Sequence, residues 1–161
     1  MPRNPQFTAG LPSWLNEDGL DLSRVPIDSI LRRALSANED LFLDGCKLLN
    51  SLCHVGRIEA GVFLLGLLRQ NSDNYARLTA IAEALAAFPT AATVDALAAE
   101  LLRVKGSNAT RGYLRRIIDT LERFPDNIAH ARILELSSDL RIGARFRQRL
   151  QSIAFGTFND W

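Results

Sequence analysis

Every basic position of the 161-residue chain is arginine except Lys47 and Lys105. A guanidinium is planar, permanently charged and forked, so it grips carboxylates and phosphates bidentately, where lysine offers a point charge. Arg141, Arg145 and Arg149 recur every four residues beside the apolar line Ile142, Phe146, Leu150 and Ile153. On a helix predicted over 140–154, that spacing buries one side and carries guanidinium groups along its flank. Arg111, Arg115, Arg116 and Arg123 enrich the preceding stretch in the same way. Asp119 stands four residues from both Arg115 and Arg123, so part of this charge is expected to be absorbed in ion pairs on the helix surface. The chemistry implied is the recognition of anions.

Bond-making chemistry finds less support. Cys46 and Cys53 are seven residues apart, which on a helix places them on one face at about 10 Å, beyond the reach of a disulfide. They read as small buried apolar residues in a reducing compartment. Cys53 precedes His54, and His130 lies early in a later helix. A nucleophile and its base need an orienting third group, and none is marked here. Two cysteines and two histidines are too few for a four-ligand zinc site without carboxylates. Neither a glycine-rich phosphate loop nor a GxSxG elbow occurs. The sequon Asn108-Ala109-Thr110 has no special meaning where nothing else argues for secretion. No enzyme activity, metal or cofactor is expected.

The bulk properties set the frame. A chain of 17.8 kDa fits one domain able to bury about 70% of its unfolded surface. Its composition, 47% hydrophobic and 23% charged, is that of an ordinary globular protein. The net charge is only +1, but it is unevenly spread. Residues 1–102 carry 8 Lys/Arg against 12 Asp/Glu, a balance of −4, and residues 103–161 carry 11 against 6, a balance of +5. The opening MPRNPQFTAGLPSWLNEDGL lacks the apolar run of a signal peptide. The run Val62–Leu68 falls far short of the ~20 residues that span a bilayer. A cytoplasmic protein without a membrane partner is expected.

The positioning scaffold is written as a repeat. At an offset of 36, Leu78, Ile81, Leu85, Phe88 and Pro89 superpose on Leu114, Ile117, Leu121, Phe124 and Pro125, and Ala92 and Leu97 fall on Ile128 and Ile133. Spacings of three and four define one helical face, and proline ends one helix while suiting the first turn of the next. At an offset of 33 a weaker copy aligns Leu48, Leu52 and Val55 with Ile81, Leu85 and Phe88, with Gly56 in place of Pro89. The predicted elements are a lead over 1–22, a first helix over 26–36, helix pairs over 39–54 with 57–69, 74–87 with 91–104 and 109–123 with 127–137, and the last helix. No strand is expected.

Helix pairs at this period bury their apolar faces only by stacking. Over roughly residues 38–138 the pattern resembles the HEAT or armadillo-like α-helical repeat superfamily. The resemblance implies an all-α fold, a short right-handed α-α superhelix of three repeats with capping helices. The domain division expected is a mobile or capping segment over 1–22, a repeat domain over 23–154 and an aromatic tail over 155–161. Trp14, with Leu11 and Leu15, is expected to fold back over the first helices. The tail, with Phe155, Phe158 and Trp161, is expected to cap the last layer or to bind a partner.

The function expected from such a surface is noncatalytic protein–protein interaction, as an adaptor, scaffold or assembly factor. Arg115, Arg116, Arg141, Arg145, Arg149, Phe158 and Trp161 are the candidate partner-binding residues. The alternative is nucleic-acid binding by the arginine-rich C-terminal layer, similar to HEAT-like DNA glycosylases without their catalysis. Glycosylase chemistry itself finds only Asp95 and Glu100 on the central second helix, with little basic companionship. A further alternative resembles HEAT-type bilin lyase subunits. The oligomeric state is not set by the sequence.

Overall fold

The computed structural model describes residues 12–16 and 19–157. Leu11, Phe158 and Trp161, all named above, lie outside them. The described chain is all-helical apart from one minimal hairpin: α1 Asp28–Ala34, α2 Glu39–His54, α3 Ile58–Gln70, α4 Tyr75–Ala84, α5 Ala91–Arg103, α6 Arg111–Glu122, α7 Asp126–Ser138 and α8 Ala144–Phe155. The hairpin pairs β1 Leu15–Asn16 with β2 Gly19–Leu20 in antiparallel register. No strand was expected there, because two residues a side are too few to show alternation. Trp14 is half-buried in this turn, its carbonyl accepting from Asp21 N–H at 2.8 Å. The lead's contact with the core runs through Leu22 and Val25.

The helices form because each repeats an apolar face and is stopped by a polar or proline-bearing corner. Asn38 caps α2 by accepting from Leu41 N–H, Asn74 caps α4 through Arg77 N–H, and Thr90 caps α5 through Thr93 N–H. Leu78, Ile81 and Leu85 are fully buried, and their repeat partners Leu114, Ile117 and Leu121 are buried with them. Helix α4 packs against both α2 and α6, and α5 packs against α7. The helices α2, α4 and α6, the first of each expected pair, therefore pack on one another in order.

The layers are tied by polar side chains as well as by apolar burial. Helix α4 tightens into a 3₁₀ turn over Leu85–Ala87 before Phe88-Pro89. Phe88 N–H donates to Leu85 O, and Pro89 has no N–H to give. The last carbonyls of α4 are satisfied from neighbouring layers instead: Asn50 Nδ2 of α2 donates to Ala84 O at 2.9 Å, and Thr120 Oγ1 of α6 donates to Ala82 O at 3.0 Å.

The weak first copy differs where it was weakest. Val55, aligned with Phe88, is exposed. Gly56 at φ +82° closes α2, with Arg57 N–H returning to Leu52 O, so the corner turns without an inserted ring. Phe88 instead turns inward on to α3, where a Cβ on Gly61 would stand 2.2 Å from Phe88 Cγ. Only glycine admits the ring so close.

Two arginines staple the early layers. Arg57 Nη1 donates to the carbonyls of Ser23 and Val25 at 3.2 and 3.1 Å, pinning the lead to the α2–α3 corner. Arg77 of α4 donates to the carbonyls of Ser36 and Ala37 and to Glu39, and its guanidinium lies 4.4 Å from the centre of the Phe42 ring.

Candidate functional site

The last helix starts at Ala144 rather than at 140, and this reshapes the expected arginine stripe. Asp139 accepts from the Arg141 backbone N–H at 2.9 Å and from its guanidinium at 2.7 Å, while Ile142 N–H donates to Asp139 O. These bonds form a turn that competes with helix. Gly143 follows in an extended conformation and precedes α8. Ile142 is still buried, but from the turn, and Arg141 is separated from Arg145 and Arg149. Hydrogen bonds from Arg141 hold the Asp139 carboxyl down to about 2, its side-chain donation being the largest cause.

Leu150, fully buried, with Phe146 and Ile153 behind it, docks α8 on the core. The docking brings α8 against α6 and α7 and opens a cleft of about 830 Å³ between the starts of α6 and α8. Arg111 and Arg115 project from α6 on one side, Arg145 and Arg149 from α8 on the other, and Phe146 lines the cleft between them. Both helix pairs of arginines are four residues apart, so each pair shares a face. Gly112, between the α6 pair, has no heavy atom within 4 Å of where a Cβ would stand, which leaves that wall low.

The α5–α6 loop closes one end. Ser107 N–H donates to Thr110 Oγ1 at 2.9 Å and Thr110 N–H donates to Ser107 Oγ at 3.2 Å. This reciprocal pair starts the helix and sets Asn108 where its Oδ1 accepts from Arg111 Nη2 at 3.1 Å.

The charges in the cleft are unequally compensated. Arg149 Nη2 donates to Asp119 Oδ1 at 2.6 Å and to Glu122 Oε2 at 3.2 Å. Asp119 is thus engaged by an arginine from α8, not by Arg115 or Arg123, its neighbours in sequence. Arg111 meets only a neutral amide, and Arg115 and Arg145 have no hydrogen-bond or ion-pair partner among the described residues. All three are exposed. Asp119 and Glu122 set against the four lining arginines therefore leave the cleft a surplus of two positive charges, with Arg111, Arg115 and Arg145 outside any ion pair among the described residues.

The remaining candidates fall elsewhere. Arg116 points across to Glu83 of α4 at 4.0 Å, away from the cleft. Phe155 is exposed at the end of α8, which Gly156 closes at φ +64°. Glu100, expected to have little basic companionship, is only 13% exposed and is fully engaged. Arg103 grips both of its oxygens at 2.8 and 2.7 Å, and Tyr113 Oη donates to Oε2 at 2.7 Å. Burial first, and then that bond to Glu100, push the Tyr113 hydroxyl well above its ordinary range. Asp95 lies 3.9 Å from Arg132.

The thiols are placed as expected of apolar residues. Burial pushes Cys46 up to about 12 and Cys53 up to about 11, so both are neutral at physiological pH, and a neutral thiol is a poor nucleophile. His54 and His130 are exposed, and no cluster of metal-ligating side chains occurs among the described residues. No described helix is long and apolar enough to cross a membrane.

Arg115, Arg145 and Arg149 were legible as candidates. Arg111 was visible only as part of an enriched stretch, although its four-residue spacing from Arg115 was the available signal; Phe146 was read only as one of the apolar line beside the arginines, and Ser107 and Asn108 only as turn residues. Comparison with protein-family models, curated proteins and solved structures finds no match to the chain.

Proposed function

We propose that the protein is a noncatalytic interaction module of the HEAT or armadillo-like kind, a short right-handed superhelix whose C-terminal layer docks an acidic segment of a partner protein. The repeated face, the Phe-Pro corners and the pair-on-pair packing support the repeat reading. The observation that carries the function is the α6–α8 cleft, where Arg111, Arg115 and Arg145 line one opening and none has an ion-pair partner among the described residues. Arginine at such a site offers bidentate bonds that a carboxylate-bearing chain can complete. Phe146 adds an apolar floor, the mixture of aromatic anchor and cationic rim found at interface centres.

The nucleic-acid alternative drew on the whole arginine-rich C-terminal layer, of which Arg141, Arg145 and Arg149 were expected to form one stripe. That stripe is broken, since Asp139 holds Arg141 and Asp119 and Glu122 hold Arg149. The test is a fluorescence-polarisation titration of the full chain with short, mixed-sequence peptides rich in Glu, beside matched peptides rich in Gln. Acidic peptides are expected to bind, to weaken with added salt and to lose binding to the Arg115→Glu/Arg145→Glu variant. Equal affinity for the Gln-rich peptides, or no binding at low ionic strength, defeats the proposal.

A further inference from the structure

We infer that the occupant of the α6–α8 cleft is a phosphorylated side chain of the partner segment, held by Arg111, Arg115 and Arg145. The inference rests on the docking reading above and names the group that the cleft is shaped to take. Three arguments favour phosphate over carboxylate. The first is charge. The four lining arginines less Asp119 and Glu122 leave a surplus of two positive charges at one cleft, whereas a carboxylate brings a single negative charge and a phosphomonoester brings about −1.5 to −2 near neutral pH. The second is valence. Donors arriving from α6 and from α8 approach one group from different sides, and a tetrahedral phosphate has acceptor oxygens in several directions, whereas a planar carboxylate is satisfied from one edge.

The third argument comes from the same cleft's own carboxylate pairing. Where acidic side chains meet arginine here, they come as two carboxylates for one guanidinium, Asp119 and Glu122 on Arg149. That pair braces α8 on α6 and fixes the far wall. Arg111, Arg115 and Arg145 are exposed and outside the pair, so they can engage a ligand without dismantling it. The opening of about 830 Å³ is far larger than a phosphate needs. The flanking residues of a peptide fill the rest, against Phe146 and the bare backbone at Gly112.

The experiment uses the full chain and three pools of short fluorescein-labelled peptides, identical in their mixed flanking residues and differing at one central position: phosphoserine, glutamate or serine. The phosphoserine pool is expected to bind at least about tenfold more tightly than the glutamate pool, with the serine pool weakest, since hydrogen bonds to a charged group each contribute enough to reach that ratio. Arg115→Ala and Arg145→Ala should each reduce phosphopeptide binding by about tenfold or more on the same grounds. Both side chains are exposed and meet no partner among the described residues, so the fold is retained. Arg115→Lys should recover only part of the loss, because the charge returns without the fork. Arg33→Ala, on α1 and remote from the cleft, should bind normally.

Equal binding of the glutamate and phosphoserine pools would overturn this inference and leave the acidic-docking reading standing. Binding of neither pool would overturn both. An Arg115→Lys variant that binds as tightly as the unaltered chain would reduce the site to diffuse positive charge and overturn the inference. Displacement of the phosphopeptides by a single-stranded oligonucleotide whose affinity grows with its length would overturn it in favour of a nucleic-acid track.

Discussion

The arginines of the early layers and those of the last layer are the same residue put to opposite uses. Arg77, with a side chain only 14% exposed, and Arg57, at 19%, divide their donors between backbone carbonyls of their own chain and one carboxylate each, Glu39 and Glu59. Arg115 and Arg145 stand exposed across a cleft with no acceptor among the described residues. What separates the two cases is the supply of orphan carbonyls. The lead and the α1–α2 connection leave backbone oxygens at Ser23, Val25, Ser36 and Ala37 that need donors. At the α6–α8 cleft nearby carbonyls already have donors, Lys105 O from Thr110 Oγ1, Ser107 O from Arg111 N–H and Gly143 O from Arg147 N–H. A guanidinium count by itself therefore says nothing about a binding surface; the local balance of acceptors does.

The comparison is most exposed to Arg77→Ala. That change strands two carbonyls and Glu39 and removes the cation from Phe42, at an expected cost of about 2–3 kcal/mol, read from urea unfolding. A loss below about 0.5 kcal/mol, the range of an uninvolved surface site, would erase the distinction between stapling and open arginines.

Glycine sharpens the same contrast. Gly61→Ala drives a methyl group into the Phe88 ring and should destabilise the protein by about 1–3 kcal/mol. Gly112→Ala meets open space on α6 and should stabilise it by about 0.4–1 kcal/mol, visible as a higher melting temperature. Equal effects would mean that the two layers are packed alike.

Titration separates the layers as well. Both thiols lie in α2, and the fold holds them neutral up to about 11 and 12 against an ordinary value of 9.0. The folded state then binds protons that the unfolded chain releases. The thiol contribution is full below pH 9.0 and is lost as pH rises toward 11 to 12. Cys46→Ala/Cys53→Ala should flatten this alkaline decline in the urea midpoint; an unchanged slope would place its origin elsewhere.

The smallest expected effect is on the open arginines themselves. Arg115→Ala and Arg145→Ala should each change stability by less than about 0.5 kcal/mol, while weakening anion-dependent binding by about tenfold or more. A large loss of stability would show that these side chains staple the fold as Arg77 does.

Much of the scaffold was legible in the chain. Leu78, Ile81 and Leu85 and their partners Leu114, Ile117 and Leu121 declare one face at helical spacing, and Phe-Pro marks where it must turn. Local sterics and the burial of a periodic face act over a few residues, so they are written in order along the sequence. Through them the sequence by itself determined an all-helical chain, its corners and its buried thiols. The tertiary structure alone decided which arginines remain open. Asp139 captures Arg141 within a turn, Arg149 crosses to Asp119, and Arg111, Arg115 and Arg145 line one cleft because α8, with Leu150 buried, docks beside α6. A guanidinium's partner can sit thirty residues away, as Asp119 does from Arg149, and electrostatic pairing follows distance in space, which the order of residues does not contain.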